Sequence, residues 1–155
     1  VKTETATWDK VFDVNVKGTF FYLRAVLPIM VEARSGAVVT VASQLAFAGG
    51  RDNAPYIATK GAIVSLTKTA ALEHAQDGVR VNAVAPGATR TPLLEGGMAR
   101  RTDPDEFRVQ LAARHAMGRL GEAEEIGEAI AYLASPQASF TTGVVLPVDG
   151  GWLAA

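Results

Sequence analysis

Tyr56 and Lys60, in a sequence of 155 residues, have the side-chain types and the spacing of a pair that could catalyse proton transfer. Residues four apart on a helix share one face. A phenol ordinarily has a pKa near ~10, and a fixed ammonium beside it favours the phenolate and lowers that value. Such a pair can pass a proton to or from a substrate oxygen, while a hydroxyl such as Ser43 holds that oxygen. We therefore predict an acid–base centre at Ser43, Tyr56 and Lys60.

Each of these features also has an ordinary structural explanation. A Tyr–Lys pair is more often a half-exposed surface pair, and Ser43 alone is a hydroxyl at a strand end. Asn15 alone is a polar helix residue, and Pro86-Gly87 alone is a turn. Their combination favours a site, because ligands of open parallel sheets bind beyond the carboxyl ends of the strands. No side chain accepts a hydride, so redox chemistry at this centre would need a nicotinamide cofactor.

The elements that must position these residues alternate between helix and strand. This alternation predicts an α/β fold with a Rossmann-like, doubly wound parallel sheet and right-handed crossovers. We expect one partial domain over residues 1–155, containing the last three strands of such a sheet and their helices. The predicted elements are a helix over Trp8–Arg34 with a bend or break near Gly18 and Pro28, a buried strand over Ala37–Ala42, a helix over Tyr56–Gln76, a second buried strand over Val79–Ala85, a helix from about Glu122, and an edge strand over Gly143–Val148.

Between the second and third strands the sequence turns polar and glycine-rich. We interpret residues 88–121 as a long functional loop with a short helix around Asp105 to Ala113. His115 is expected in a mobile part of this loop, and His74 on a helix surface.

Composition excludes several other classes of protein. The chain has no cysteine, which rules out disulfides, thiolate nucleophiles and Cys-based zinc sites. The two histidines lie far apart, so no metal site is expected. A net charge of −1 predicts no nucleic-acid or anionic membrane partner. No uninterrupted apolar stretch reaches membrane-spanning length, and nothing resembles a signal peptide, so the cytoplasm is the expected compartment.

Taken together, the motifs resemble those of the short-chain dehydrogenases/reductases. The step from Ser43 to Tyr56 matches that family, as does the position of Asn15, and the resemblance covers essentially the whole chain. The segments that carry it are Asp13-Val14-Asn15-Val16-Lys17-Gly18, Val38-Val39-Thr40-Val41-Ala42-Ser43, Tyr56-Ile57-Ala58-Thr59-Lys60, Arg80-Val81-Asn82-Ala83-Val84-Ala85-Pro86-Gly87 with Thr91-Pro92, Leu120-Gly121 through Glu125-Ile126, and Val148-Asp149-Gly150-Gly151-Trp152.

The resemblance implies an oxidoreductase that interconverts an alcohol and a ketone or aldehyde with NAD or NADP. Tyr56 would be the general acid/base, Lys60 would lower its pKa and bind the nicotinamide ribose, Ser43 would polarise the substrate, and Asn15 would hold a water of the proton relay. The cofactor-binding residues implied are Asn15, Tyr56, Lys60, Pro86, Gly87, Thr89 and Thr91. Residues 92–115 would cover a small-molecule substrate, and the complete enzyme would be a homo-oligomer, a tetramer or dimer.

One departure from the family pattern concerns the cofactor. The family's Gly-rich turn, which cradles the pyrophosphate, has no counterpart in the sequence. We therefore expect these 155 residues alone to be a fragment, marginally stable and catalytically silent. The alternative is a non-catalytic assembly module of such an oligomer. Neither the preference between NAD and NADP nor the substrate follows from these residues.

Overall fold

The computed structural model describes residues 3–154, in which three parallel strands are joined and flanked by helices. The sheet follows chain order, β1-β2-β3. The elements are α1 (Thr5–Phe12), a π-helical segment (Asp13–Lys17), α2 (Gly18–Glu32), β1 (Gly36–Val41), α3 (Ala54–His74), β2 (Val79–Pro86), α4 (Pro92–Met98), α5 (Pro104–Ala112), α6 (Ala123–Ala134) and β3 (Val145–Val148). The predicted α/β fold with a parallel sheet is confirmed.

The strand register brings the carboxyl ends of all three strands to one edge of the sheet. β1 pairs with β2 from Gly36 opposite Val79 to Val41 opposite Val84. β2 pairs with β3 as far as Pro86 opposite Val148. The segments that follow the strands, beginning at Ala42, Gly87 and Asp149, therefore leave the sheet side by side.

β2 is the central strand, and both of its faces are buried. Ala83 and Ala85 pack with Ile63 of α3 on one face. Val84 packs with Ile126 and Leu133 of α6 on the other face. This two-sided burial explains the continuous apolar run of β2.

β1 differs from the prediction of a strand buried on both faces. Of its six residues only Thr40 is buried, and the Val41 side chain is 46% exposed. Within residues 3–154, β1 pairs with a strand on its β2 side alone, which leaves its other edge without a neighbour. An apolar strand at an edge keeps only part of its surface from water.

The first helical run changes its hydrogen-bonding pattern partway along its length. Asp13–Lys17 form a π-helical segment between α1 and α2, directly before Gly18, while α2 continues through Pro28. Single π turns inserted into α-helices occur frequently at functional sites. The interruption predicted near Gly18 is present as a π-helical segment that contains Asn15, whereas α2 continues unbroken through Pro28, where the second interruption was predicted.

The same run corrects the expectation about membrane-spanning length. Thr5–Glu32 is a 28-residue helix whose most apolar 18-residue window has a mean hydropathy of 1.2, so it could cross a membrane by length and composition. The sequence prediction missed it by counting only uninterrupted apolar residues. Core helices pass the same test, and Leu23 and Leu27 on this helix pack into the core, so the finding is weak support for a membrane helix.

The long segment between β2 and α6 is more ordered than predicted. The expected helix is present as α5, and α4 precedes it where the sequence, with Gly96 and Gly97, indicated a loop. A parallel bridge between Thr89 and Gly121 closes the base of this segment. His115 is buried and hydrogen-bonded, so its predicted location in a mobile segment is wrong.

Candidate active site

Ser43 lies where β1 leaves the sheet. The Ala42 N–H still donates to the Val84 carbonyl at 2.8 Å, which holds the strand end in register. The Ser43 side chain is buried, and its Oγ accepts a hydrogen bond from the Leu45 N–H at 3.2 Å. This bond fixes the hydroxyl at the start of a short 3₁₀ turn and leaves its proton free to be donated.

Tyr56 and Lys60 lie on the first two turns of α3, which has Pro55 in its first turn, where a missing N–H costs nothing. The Lys60 Nζ lies 5.6 Å from the centroid of the Tyr56 ring and donates to the Val41 carbonyl at 2.8 Å. Burial lowers the pKa of the Lys60 ammonium from its usual value of 10.5. The tyrosine stays 36% exposed, so its phenol can be reached from solvent.

Asn15 reaches the site through Thr59. The Asn15 Nδ2 donates to the Thr59 Oγ1 at 3.0 Å, and that hydroxyl donates to the Tyr56 carbonyl at 2.7 Å. Thr59 is fully buried. The π-helical segment is thus fastened to the turn of α3 that carries Tyr56, and Asn15 and Lys60 line one groove beside β1.

The end of β2 leaves room for glycine only. The Gly87 N–H donates to the Val148 carbonyl at 2.9 Å, next to Pro86. A Cβ at Gly87 would stand 2.8 Å from the Asp149 Cα and 2.9 Å from the Gln44 Oε1. That Gln44 oxygen is buried and has no hydrogen-bond partner among the described residues. Backbone and an unpaired acceptor therefore surround the Gly87 peptide.

The two threonines after β2 use their hydroxyls locally. The Thr89 Oγ1 donates to the Gly87 carbonyl at 3.0 Å. The Thr91 Oγ1 accepts from the Leu94 N–H at 3.2 Å and caps α4. Each hydroxyl retains part of its hydrogen-bonding capacity, since a hydroxyl has one proton and two lone pairs.

The predicted site residues thus fall into two adjoining groups. The first joins Asn15, Tyr56 and Lys60 through Thr59 and the Val41 carbonyl. The second surrounds Gly87, where Gln44 follows Ser43 in the chain and so links the groups. Thr91 stands farther along, at the start of α4.

Sequence reasoning missed three residues of this arrangement: Thr59, Gln44 and His115. Thr59 lies inside the Tyr-x-x-x-Lys segment. A threonine one helical turn after a candidate catalytic tyrosine could have indicated a side chain that helps to position it. Gln44 and His115 gave no such signal, because the contacts that bring them to Gly87 and Ala88 join positions 43 and 27 residues apart.

The comparisons with known proteins agree on one family. The family described as "Enoyl-(Acyl carrier protein) reductase" matches residues 1–153. The cis-4-hydroxycyclohexanecarboxylate dehydrogenase of Sinomonas cyclohexanicum is 42% identical over 151 residues, which are 97% of this chain and 58% of that protein. The chain therefore spans about three fifths of the length of such relatives.

Solved structures give the same result. The crystal structure of levodione reductase superposes with a TM-score of 0.96 at 38% identity, covering 99% of this chain and 60% of that one. A gluconate 5-dehydrogenase from Burkholderia cenocepacia, solved in complex with NADP and tartrate, gives a TM-score of 0.92 at 32% identity. The match covers 99% of this chain and 59% of that one. At these identities the likeness extends beyond the fold to the sequence.

Proposed function

The chain belongs to the short-chain dehydrogenase/reductase family, and we propose that its protein is an NAD(P)-dependent oxidoreductase interconverting an alcohol and a ketone or aldehyde. The observation that carries the proposal is the placement of Lys60, whose ammonium is held by the Val41 carbonyl 5.6 Å from the Tyr56 ring. This contact joins the end of β1 to the first turns of α3. It also keeps a positive charge beside an accessible phenol.

Tyr56 is the proposed general acid/base. With the Lys60 ammonium 5.6 Å from its ring centroid, the tyrosine would take the proton of an alcohol or return it to a carbonyl oxygen. The Ser43 hydroxyl, oriented by the Leu45 N–H, donates to the same oxygen as negative charge develops on it. Asn15 is the proposed end of the proton relay, where it would hold a water linked to Lys60.

The end of β2 suits a nicotinamide nucleotide. Any side chain at Gly87 would meet the Asp149 backbone, so the glycine lets this peptide lie close against the end of β3. We propose that the segment from Pro86 through Gly87 and Thr89 to Thr91 positions the carboxamide, and that Asn15, Tyr56 and Lys60 face the ribose. When bound, the cofactor supplies the hydride acceptor or donor that no side chain provides.

The names of the relatives support a small-molecule alcohol or carbonyl substrate, since they are a dehydrogenase of a hydroxycyclohexanecarboxylate, a levodione reductase and a gluconate dehydrogenase. We also propose a homo-oligomer. The aromatic side chains of Phe20, Phe21 and Tyr22 on α2 are exposed and would be covered by a second copy.

The test is Tyr56→Phe in the protein expressed from its complete reading frame. We expect kcat to fall about 10²–10⁴-fold, because the acid/base is removed, while the Kd for the nicotinamide cofactor stays within about threefold. Tyr132→Phe, at an exposed tyrosine on α6, is the matched control and should leave both quantities unchanged. Full turnover by Tyr56→Phe would refute the proposed role of Tyr56, and absence of cofactor binding by the wild type would refute the oxidoreductase.

A further inference from the structure

His115 is the last residue of the proposed substrate-covering segment, residues 92–115, and its ring contacts the backbone that follows β2. The side chain is only 3% exposed. Its Nδ1 lies 3.0 Å from the Leu111 carbonyl in the last turn of α5, and its Nε2 accepts from the Ala88 N–H at 3.2 Å. One ring therefore bridges α5 and the peptide that follows Gly87.

The partners of the ring leave one protonation state. A backbone N–H can only donate, so the Nε2 facing Ala88 must be a lone-pair acceptor. A carbonyl can only accept, so the Nδ1 facing Leu111 must carry the proton. His115 is therefore a neutral imidazole in the Nδ1–H tautomer, as long as both hydrogen bonds are present.

The Ala88 peptide is held from both of its sides. Its N–H is bound by His115, and its carbonyl accepts from the Gly121 N–H at 2.9 Å. The Arg90 N–H donates to the Gly121 carbonyl at 2.8 Å, which completes the parallel bridge opposite Thr89. In such a bridge the central residue directs its own N–H and carbonyl to the other side. The Thr89 N–H therefore points away from Gly121, and its direction depends on how Ala88 is held.

We infer that His115 is a positioning residue: its imidazole fixes the Gly87–Thr89 backbone relative to α5, so that the nicotinamide-contacting peptide and the substrate-covering segment hold one relative position. This inference rests on the proposed function for its cofactor. The ring stands 3.0 Å from where a Cβ at Gly87 would be, so the imidazole also limits the space around that peptide.

Three substitutions separate hydrogen bonding from packing. His115→Gln can present its Oε1 near the position of Nε2 and so keep an acceptor for Ala88. His115→Asn is shorter and can replace only the Nδ1 donor toward Leu111. His115→Phe fills the space and makes neither bond. The hold on the Ala88 amide should be nearly as strong in His115→Gln as in the wild type. It should be weaker in both His115→Asn and His115→Phe.

The first measurement is hydrogen exchange at the Ala88 amide in the cofactor-free protein, expressed from its complete reading frame. We expect exchange about tenfold faster or more in His115→Asn and His115→Phe than in the wild type, with His115→Gln restoring slow exchange. Equal exchange in all four proteins would overturn the inference, and this readout needs no bound cofactor.

The second measurement is the affinity for NADH or NADPH beside that for ADP-ribose, which lacks the nicotinamide. The Asn and Phe variants should bind the dinucleotide about tenfold more weakly and ADP-ribose as the wild type does. Equal weakening of both ligands, or of neither, would overturn the inference. A wild type that binds no dinucleotide would instead refute the proposed function. If the His115→Phe variant does not fold, comparing His115→Asn with His115→Gln tests the inference in the same way.

Discussion

At the scale of single residues, the candidate site depends on burying a charge. The Lys60 ammonium loses water when it docks against the Val41 carbonyl, and this desolvation lowers its pKa. An ammonium with a lowered pKa gives up its proton more readily than one in water. Lys60 would therefore be suited to exchange protons in the proposed relay with Tyr56.

The titration of Lys60 follows from this burial. We expect its midpoint below 10.5, measured by the ¹³Cε chemical shift, with Lys60→Arg assigning the resonance by its loss. Between the folded pKa and 10.5 the unfolded chain binds more protons, so stability rises with pH in that window relative to Lys60→Met. A midpoint at or above 10.5 would show that Lys60 is not desolvated.

Gly87 gives a steric prediction at the same scale. Gly87→Ala should lower the free energy of unfolding by about 1–3 kcal/mol, because its Cβ would meet the Asp149 backbone at 2.8 Å, which cannot rotate away. Gly121→Ala is the control, since its Cβ would lie 3.5 Å from the Thr89 Oγ1, an ordinary contact. Urea unfolding of both variants measures the difference, and equal midpoints would contradict the argument.

Some of these residues could be predicted from the sequence and others could not. Tyr56 and Lys60 share a helix, so a spacing of four brought them to notice. Ser43 and Gly87 follow apolar runs that end at the same edge of a parallel sheet. His115, by contrast, is placed at the site by its hydrogen bond from the Ala88 N–H, 27 residues away in the chain, which no local pattern encodes. Polar contacts with distant backbone were therefore missed.

At the scale of elements, the start of α6 is fixed by one ion pair. The Arg119 guanidinium donates to the Glu125 carboxylate at 2.6 and 2.8 Å, and the Glu122 N–H donates to the same carboxylate at 2.8 Å. These bonds lower the pKa of Glu125 to about 2, the bond from Arg119 being the largest cause. The chain between α5 and α6 is thereby fastened to the first turn of α6.

This pair predicts how stability depends on acid. A carboxylate whose pKa is depressed on folding stabilises the protein above its unfolded pKa of 4.5 and ceases to do so as the pH falls toward about 2. The difference in urea midpoint between wild type and Glu125→Gln should therefore shrink over that window. Glu124→Gln, in the same helical turn, is the control and should show no such change. A constant difference for Glu125→Gln would contradict the linkage.

Elements were predictable where periodicity was strong. The apolar run of β2 and the amphipathic pattern of α6 fixed both elements closely. α4 was missed because it is short and contains Gly96 and Gly97, which lower helix propensity, while the Thr91 cap and Pro92 start it. The π-helical turn at Asn15 was predicted only as a bend, because side-chain periodicity does not reveal an added residue in the turn.

At the scale of the whole molecule, two polar residues of β2 hold the chain around the sheet. The Asn82 side chain donates to the Thr141 carbonyl at 2.9 Å and accepts from the Val144 N–H at 3.1 Å. The Arg80 guanidinium donates to four carbonyls, those of Leu133, Ala134, Ser135 and Thr141, at 2.8 to 3.3 Å. β2, the end of α6 and the connection to β3 therefore depend on one another.

The hydrogen bonds of Arg80 predict that replacing an arginine by lysine destabilises the protein more at position 80 than at the exposed position 108. Arg80→Lys should lower the free energy of unfolding by about 2 kcal/mol, since a single ammonium on a flexible stem cannot serve four carbonyls held by a planar fork. Arg108→Lys, at an exposed ion pair with Glu95 at 3.5 Å, should change it by less than about 0.5 kcal/mol. Urea unfolding of both variants decides the matter. If Arg80→Lys lowered the free energy of unfolding no more than Arg108→Lys does, the α6–β3 connection would be held by its apolar packing. The hydrogen bonds of the Arg80 guanidinium would then contribute little to stability.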